Sequence, residues 1–125
     1  MNSDIDKLSS RELQAAIEQE LGVRAEYRAE YLNAYSTCVD MPYYSDDIGD
    51  AWELDDPDDE RGYDWTFREC RDYNRHQNYV LANACDGRQD FYGQCDYNGK
   101  AEKPRAYAVA RCRCWLKARQ AKKGE

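Results

Sequence analysis

Apolar residues at helical spacing mark both ends of the chain. In LSSRELQAAIEQELG, residues 8–22, the apolar positions after the serines recur three or four residues apart and share one face of a helix. Ser9 and Glu12 have the spacing of a capping box, and Leu8 and Leu13 have that of a hydrophobic staple. The pattern therefore predicts a helix over residues 10–21.

The segment PRAYAVARCRCWLKARQAKK predicts a second, longer helix. Pro104 opens it at a position where a missing N–H is tolerated, and no later residue interrupts it. Cys112 and Cys114 are two residues apart, so their side chains are expected to point in different directions. The broad apolar surface of this helix consists of Ala106, Val109, Ala110, Cys112, Trp115 and Leu116.

Three segments between these helices have the pattern of strands. They are YDWTFREC, NYVLANAC and DFYGQCDY, which cover residues 63–70, 78–85 and 90–97. In the first, alternation puts the aromatic residues Trp65 and Phe67 on one face and Thr66 and Arg68 on the other. The Asn98-Gly99 pair after the third strand predicts a turn.

The region before the strands is less regular. Residues 23–42 favour one or two short strands, although their alanines and glutamates leave a helix open. In YYSDDIGDAWELDDPDDERG, Ser45 is a good cap for a short helix over residues 45–54 that buries Trp52. Pro57 and the acids around it predict a solvated turn over residues 55–62.

Helices from both ends of the chain, packed with a small antiparallel sheet, define an α+β fold, a sandwich of helix, sheet and helix. The 125 residues are expected to form one domain, residues 1–125. Such a sheet buries one face under the helices. Its other face, with aromatic or basic side chains, is then open to a partner.

The net charge of −7 is unevenly distributed. Residues 105–125 contain seven basic residues and a single acidic one, Glu125, so the acidic excess lies in the rest of the chain. This asymmetry favours a charged partner, or association of copies of the chain through complementary faces. A basic helix end that complements its own dipole accounts for part of it.

The six cysteines are interpreted as free thiols, mostly buried as small hydrophobic residues. No CxxC motif occurs, and His76 lies in a polar segment typical of a loop. We expect no metal site and no cofactor. The N-terminal MNSDIDKLSS lacks the basic and apolar regions of a signal peptide, and no apolar run is long enough to span a bilayer. We therefore expect a cytoplasmic protein with no membrane partner.

Three segments together indicate kinship. SSRELQAAIEQELG, YYSDDIGDAWEL and AEKPRAYAVARCRCWLKA resemble, in this order, segments of the small phage proteins called phage ABA sandwich domain proteins. That family has an N-terminal REL-type helix, a motif like YSTDIAAAWE and a final helix like AICLAALKA. Here Arg111 and Arg113 stand where the family pattern is mostly apolar. The resemblance implies a phage or prophage origin and a sandwich of helix, sheet and helix, and it brings no functional residues.

The usual signatures of nucleotide-hydrolysing and other hydrolytic enzymes are missing from the sequence, which favours a function in binding. Flat aromatic rings stack on bases and arginine forks hold phosphates. The leading hypothesis is a sponge that sequesters a small nucleotide of bacterial immunity in pockets between protomers of a homo-oligomer. Its candidate ligand-binding residues are Trp65, Phe67, Arg105 and Arg111. If Arg111 acts only on the ligand, Arg111→Ala should abolish binding and leave the melting temperature nearly unchanged.

Two alternatives stay open. The acidic stretch from Asp46 to Asp64, with ten carboxylates against Arg61 alone, could imitate the phosphates of a nucleic acid and inhibit a host nuclease, restriction or CRISPR complex. Charge reversal at its partner-binding candidates would then weaken that complex without unfolding the domain. These candidates are Asp55, Asp56, Asp58 and Asp59. The other alternative is a phage structural or regulatory accessory protein.

Overall fold

The computed structural model describes residues 2–20 and 62–123. A short 3₁₀ helix, Asn2–Lys7, comes before helix α1, Ser10–Glu20. Three strands follow, and helix α2, Lys103–Lys123, closes the described chain. The strands are β1, Asp64–Asp72, β2, Gln77–Cys85, and β3, Asp90–Tyr97. The predicted α+β fold, with helices at both ends and a small antiparallel sheet between them in the chain, is confirmed.

Several predictions lie outside the described residues. They concern the short strands within residues 23–42, the helix over residues 45–54 with Trp52, and nearly all of the acidic turn over residues 55–62. Leu21 and Cys38 also lie outside them.

Helix α1 begins with the predicted capping box. The Ser9 amide donates to Glu12 Oε1 over 3.1 Å, and the Glu12 amide donates to Ser9 Oγ over 3.2 Å. These two bonds satisfy donors that a helix start otherwise leaves without partners. The hydrogen bonds from Ser9 lower the pKa of the Glu12 carboxyl. Leu13 and Ile17 are fully buried on one face, as the spacing predicted.

The sheet has the strand order β1-β2-β3, with both pairs antiparallel. Trp65 pairs with Ala84, which pairs in turn with Phe91. We call the face that carries these residues the inner face, because α2 packs against it. Thr66 and Arg68 are exposed on the opposite, outer face. The three predicted strands and their alternation are confirmed, with β1 extending two residues further than predicted.

Helix α2 is buried on two sides. Small residues spaced four apart, Ala106, Ala110, Cys114 and Ala118, belong to the core cluster with the sheet. Larger residues on another side, Val109, Cys112, Trp115 and Leu116, pack with Leu13 and Ile17 of α1. Because the two cysteines enter different clusters, the prediction that they point in different directions is confirmed. The described part of the chain contains five free cysteines, two of them fully buried.

Gly93 on β3 is where α2 comes closest to the sheet. A Cβ at this position would overlap the Ala110 carbonyl oxygen and the Cys114 amide nitrogen. Both atoms belong to the helix backbone, so neither can turn away as a flexible side chain could. The Cys114 thiol donates to the Phe91 carbonyl oxygen over 3.1 Å at the same contact. Glycine is therefore required here by a close backbone approach.

Surface ion pairs connect the sheet to its turns and to α2. Arg75, in the turn between β1 and β2, donates to Asp72 over 2.7 Å and to Asp96 of β3 over 3.1 Å. Lys103 at the start of α2 pairs with Glu69 over 3.1 Å. The predicted loop position of His76 is confirmed, since it is exposed in the same turn as Arg75. The predicted turn after β3 is also present, with Gly99 at a φ of 80°.

The close approach at Gly93 leads to a stability prediction. Gly93→Ala should destabilise the protein by about 3 kcal/mol, because the added methyl group pushes the helix off the sheet. Gly62→Ala is the matched control, because nothing lies within 4 Å of its Cβ position. It should change stability by less than about 0.5 kcal/mol. The midpoints of urea unfolding measure both, and equal midpoints for the two variants would contradict the packing described here.

The surface ion pairs predict sensitivity to acid. The Arg75 hydrogen bond lowers the pKa of Asp72, and the Lys103 hydrogen bond lowers that of Glu69. A lowered carboxyl pKa contributes stability above the unfolded-state pKa, and that stability is lost as the pH falls through the folded-state pKa. The melting temperature should therefore fall as the pH drops below the ordinary carboxyl range. The melting temperature of Arg75→Gln should fall less steeply with decreasing pH than that of Arg88→Gln, a control in the other sheet turn. Parallel curves of melting temperature against pH for the two variants would count against the pairing.

Candidate functional site

Three of the four predicted ligand-binding residues meet on the inner face. The rings of Trp65 and Phe67 stack with centroids 6.3 Å apart and planes 11° from parallel. The Tyr107 ring of α2 tilts against Phe67 at 5.8 Å. The Arg111 guanidinium lies over the Trp65 ring, with its Cζ 4.0 Å from the centroid. We call these four side chains the aromatic cluster.

Arg105 is separate from the aromatic cluster. It is exposed in the first turn of α2, and its charge acts on the Cys95 thiol of β3, the strand at the opposite edge of the sheet from β1. Burial raises the pKa of Cys95, and the positive charges of Arg113 and Arg105 oppose this shift. Of the two final-helix arginines predicted to act together, Arg111 belongs to the aromatic cluster and Arg105 does not.

The aromatic cluster joins β1 to α2. Arg111 is only 6% exposed, and its guanidinium covers the Trp65 ring that a base would need for stacking. A desolvated cation over an indole ring stabilises a structure by about 2 kcal/mol or more. Trp65 and Phe67 are themselves half-buried. In this arrangement Arg111 packs against the protein's own tryptophan, which is a structural use of the guanidinium.

The outer face carries a different set of side chains. Thr66, Asn83 and Tyr92 lie in register across the three strands. Two residues further along β1, on the same face, Arg68 pairs with Leu81. These five residues line a shallow cavity of about 120 Å³. We call this set the outer-face site. It lies across the sheet from the aromatic cluster.

Tyr92 and Arg68 give the outer-face site its chemistry. Tyr92 is 49% exposed, so much of its ring is accessible to a ligand. Arg68 is exposed, and no carboxylate of residues 2–20 and 62–123 forms an ion pair with it. The exposed Tyr92 ring therefore offers a stacking surface, and the exposed Arg68 guanidinium offers a fork of N–H donors for an oxyanion.

Asn83 supports the floor of this site. Its Nδ2 donates to the Phe91 carbonyl oxygen over 3.2 Å, and its Oδ1 accepts from Thr66 Oγ1 over 3.4 Å. Side chains held by such bonds on a strand present a fixed surface to a ligand. The site is therefore built from regular secondary structure.

Neither Arg68 nor Tyr92 is among the ligand-binding residues that the sequence predicts. The alternation in β1 already placed Arg68 on the face away from Trp65 and Phe67. The pairing register that brings Tyr92 close to it is a property of three strands together. The alternative partner-binding residues Asp55, Asp56, Asp58 and Asp59 lie outside the described residues.

Within residues 2–20 and 62–123, no three His, Cys, Asp or Glu side chains are grouped so that they could hold a metal ion. No helix in that part of the chain is both long enough and apolar enough to cross a membrane.

Comparisons of the chain with protein-family models, curated protein sequences and solved structures give no match. The resemblance to phage ABA sandwich domain proteins therefore stays a prediction.

The burial of Arg111 changes the expectation for its alanine variant. Arg111→Ala should lower the free energy of unfolding by about 2 kcal/mol, because it removes the cation over Trp65 and leaves a gap beside the ring. Arg88→Ala, at an exposed turn position, is the matched control and should have little effect. Thermal unfolding followed by tryptophan fluorescence measures both. An unchanged melting temperature for Arg111→Ala would instead return Arg111 to the list of ligand-binding candidates.

Proposed function

We propose that the protein acts by binding, without catalysis, and sequesters a small nucleotide that serves as a signal in bacterial defence. On this proposal it is a phage or prophage accessory protein that works in the cytoplasm of the infected host. The resemblance to small phage proteins supports the origin. The observation that carries the binding role is that an exposed Tyr92 ring lines one cavity with Arg68, which forms no ion pair with residues 2–20 and 62–123.

The chemistry of the outer-face site suits a nucleotide. A base would stack on Tyr92, and such a contact contributes about 1–3 kcal/mol. The Arg68 fork would hold a phosphate oxygen pair. The cavity of about 120 Å³ takes only the ring portion of a ligand, so the sugar and phosphates would extend along the surface towards Arg68.

The outer-face site is preferred over the aromatic cluster for this ligand. In the aromatic cluster, a base would have to displace Arg111 from Trp65, and the lost cation–π interaction would offset the energy gained by stacking. On the outer face, Leu81 and Asn83 already form a floor, so little has to be rearranged on binding.

A homo-oligomer would strengthen this function. The outer-face site is open, so a single chain covers only one side of a bound nucleotide. A second copy closing over the same face would cover the other side, which suits a protein that must retain its ligand. Pockets between protomers are in this way part of the proposal.

The first experiment is native mass spectrometry of the protein purified from a bacterial host, with a denatured extract analysed for released small molecules. The expected result is a homo-oligomer that carries a nucleotide-sized mass. An empty monomer that also fails to bind a panel of mononucleotides and cyclic dinucleotides in calorimetric titration would contradict the proposal.

Variants then locate the site with the nucleotide that binds. Tyr92→Ala and Arg68→Ala should each weaken binding by about tenfold or more, the equivalent of about 1.4 kcal/mol. Arg88→Ala is the control for loss of an exposed arginine and should bind like the wild type. Arg105→Ala distinguishes the outer-face site from a site on α2. A loss of nucleotide binding in this variant alone would place the site on α2.

A further inference from the structure

A second cavity lies at the β3 edge of the sheet, separate from the outer-face site. It has a volume of about 350 Å³ and forms where the N-terminal 3₁₀ helix, β3 and α2 meet. Its size is within the range of small-molecule pockets. We call it the edge cleft, and its lining residues are Asp6, Gln94, Cys95, Asp96 and Arg113.

Arg113 is the central polar group of the edge cleft. Its Nη1 donates to the Gln94 carbonyl oxygen over 2.6 Å, and its Nη2 donates to the Leu8 carbonyl oxygen over 3.1 Å. The Nε atom is buried and has no hydrogen-bond partner. Both acceptors are neutral, so these bonds hold the guanidinium in place, and no carboxylate of residues 2–20 and 62–123 forms an ion pair with it.

The carboxylates in the wall already have cationic partners. Asp6 accepts from Lys117 Nζ over 2.8 Å, and Asp96 pairs with Arg75 over 3.1 Å. Among the charged residues that line the edge cleft, Arg113 alone has no opposite charge within ion-pair distance in the described chain.

We propose that the edge cleft binds a small molecule through one carboxylate or phosphate group held by Arg113. Guanidinium forks match the geometry of these oxyanions. The neighbouring carboxylates of Asp6 and Asp96 would repel a ligand with several negative charges, so the site should favour one that carries a single oxyanion group. This site is independent of the nucleotide proposed for the outer face, because Arg68 and Tyr92 do not line it.

The direct test is NMR of the arginine Nε–H signals of the wild-type protein during titration with acetate and with inorganic phosphate. Ionic strength is held constant with chloride, so that general screening does not change. The expected result is a saturable shift of the Arg113 signal while the Arg88 signal stays in place. The anion that saturates at lower concentration identifies the preferred oxyanion. A linear drift, or equal shifts at both arginines, would overturn the proposal.

Cys95 provides a second test, since it lines the same cleft and is only partly buried. Alkylation measured by peptide mass spectrometry should slow at Cys95 in proportion to occupancy by the anion that shifts Arg113. Cys70 pairs with Tyr79 on the outer face and is the matched control, whose rate should stay constant. Equal slowing at both cysteines would count against occupancy of the edge cleft.

The variant Arg113→Lys keeps the charge and removes the fork. If circular dichroism shows that it folds, it should lose the saturable protection of Cys95, and retained protection would overturn the role of the guanidinium. If it fails to fold, the two wild-type measurements decide the question without it.

Discussion

The close contact between the backbones of α2 and β3 at Gly93 is the constraint on which the remaining structure depends. A helix can approach a sheet this closely only where one partner lacks a side chain and the other presents small ones. Gly93 satisfies the first condition, and the stripe from Ala106 to Ala118 satisfies the second. The short distance at Gly93 leaves no room for large side chains on the stripe of α2 that faces it. The bulky apolar residues of α2 consequently pack on its other side, against α1.

This placement also explains why the basic residues of α2 differ in role although they are close in sequence. Arg111 reaches over β1 and covers Trp65, whereas Arg113 reaches the edge of β3 and the chain before α1. Each guanidinium replaces apolar packing at a margin of the core, where its long stem can be buried while its planar head finds a ring or carbonyl oxygens. Arginine on this helix thus connects secondary structure elements as well as offering charge.

The two faces of the sheet divide structure from the proposed function. The aromatic side chains of the inner face take part in packing, and the Arg111 guanidinium covers the Trp65 ring on which a base would have to stack. The outer face keeps a tyrosine and an arginine exposed above a floor held by Asn83. The edge cleft belongs to neither face, because it forms only where β3 meets α2 and the N-terminal 3₁₀ helix. The proposed sites therefore lie where the chain's rigid elements present polar groups that the core does not use.

The sequence by itself determined the two helices, the three strands and the capping box at Ser9, since each depends on spacing within a few residues. It also determined that Thr66 and Arg68 face away from Trp65 and Phe67, because successive strand residues alternate. It predicted Arg111 as a binding residue without revealing its burial, and it grouped Arg105 with Arg111 although Arg105 is not part of the aromatic cluster. Only the tertiary structure decided that Arg111 covers Trp65, that Arg113 faces the edge cleft, and that Tyr92 lies near Arg68. These relations depend on strand register and on the closeness of helix to sheet, which arise from contacts between residues far apart in the chain.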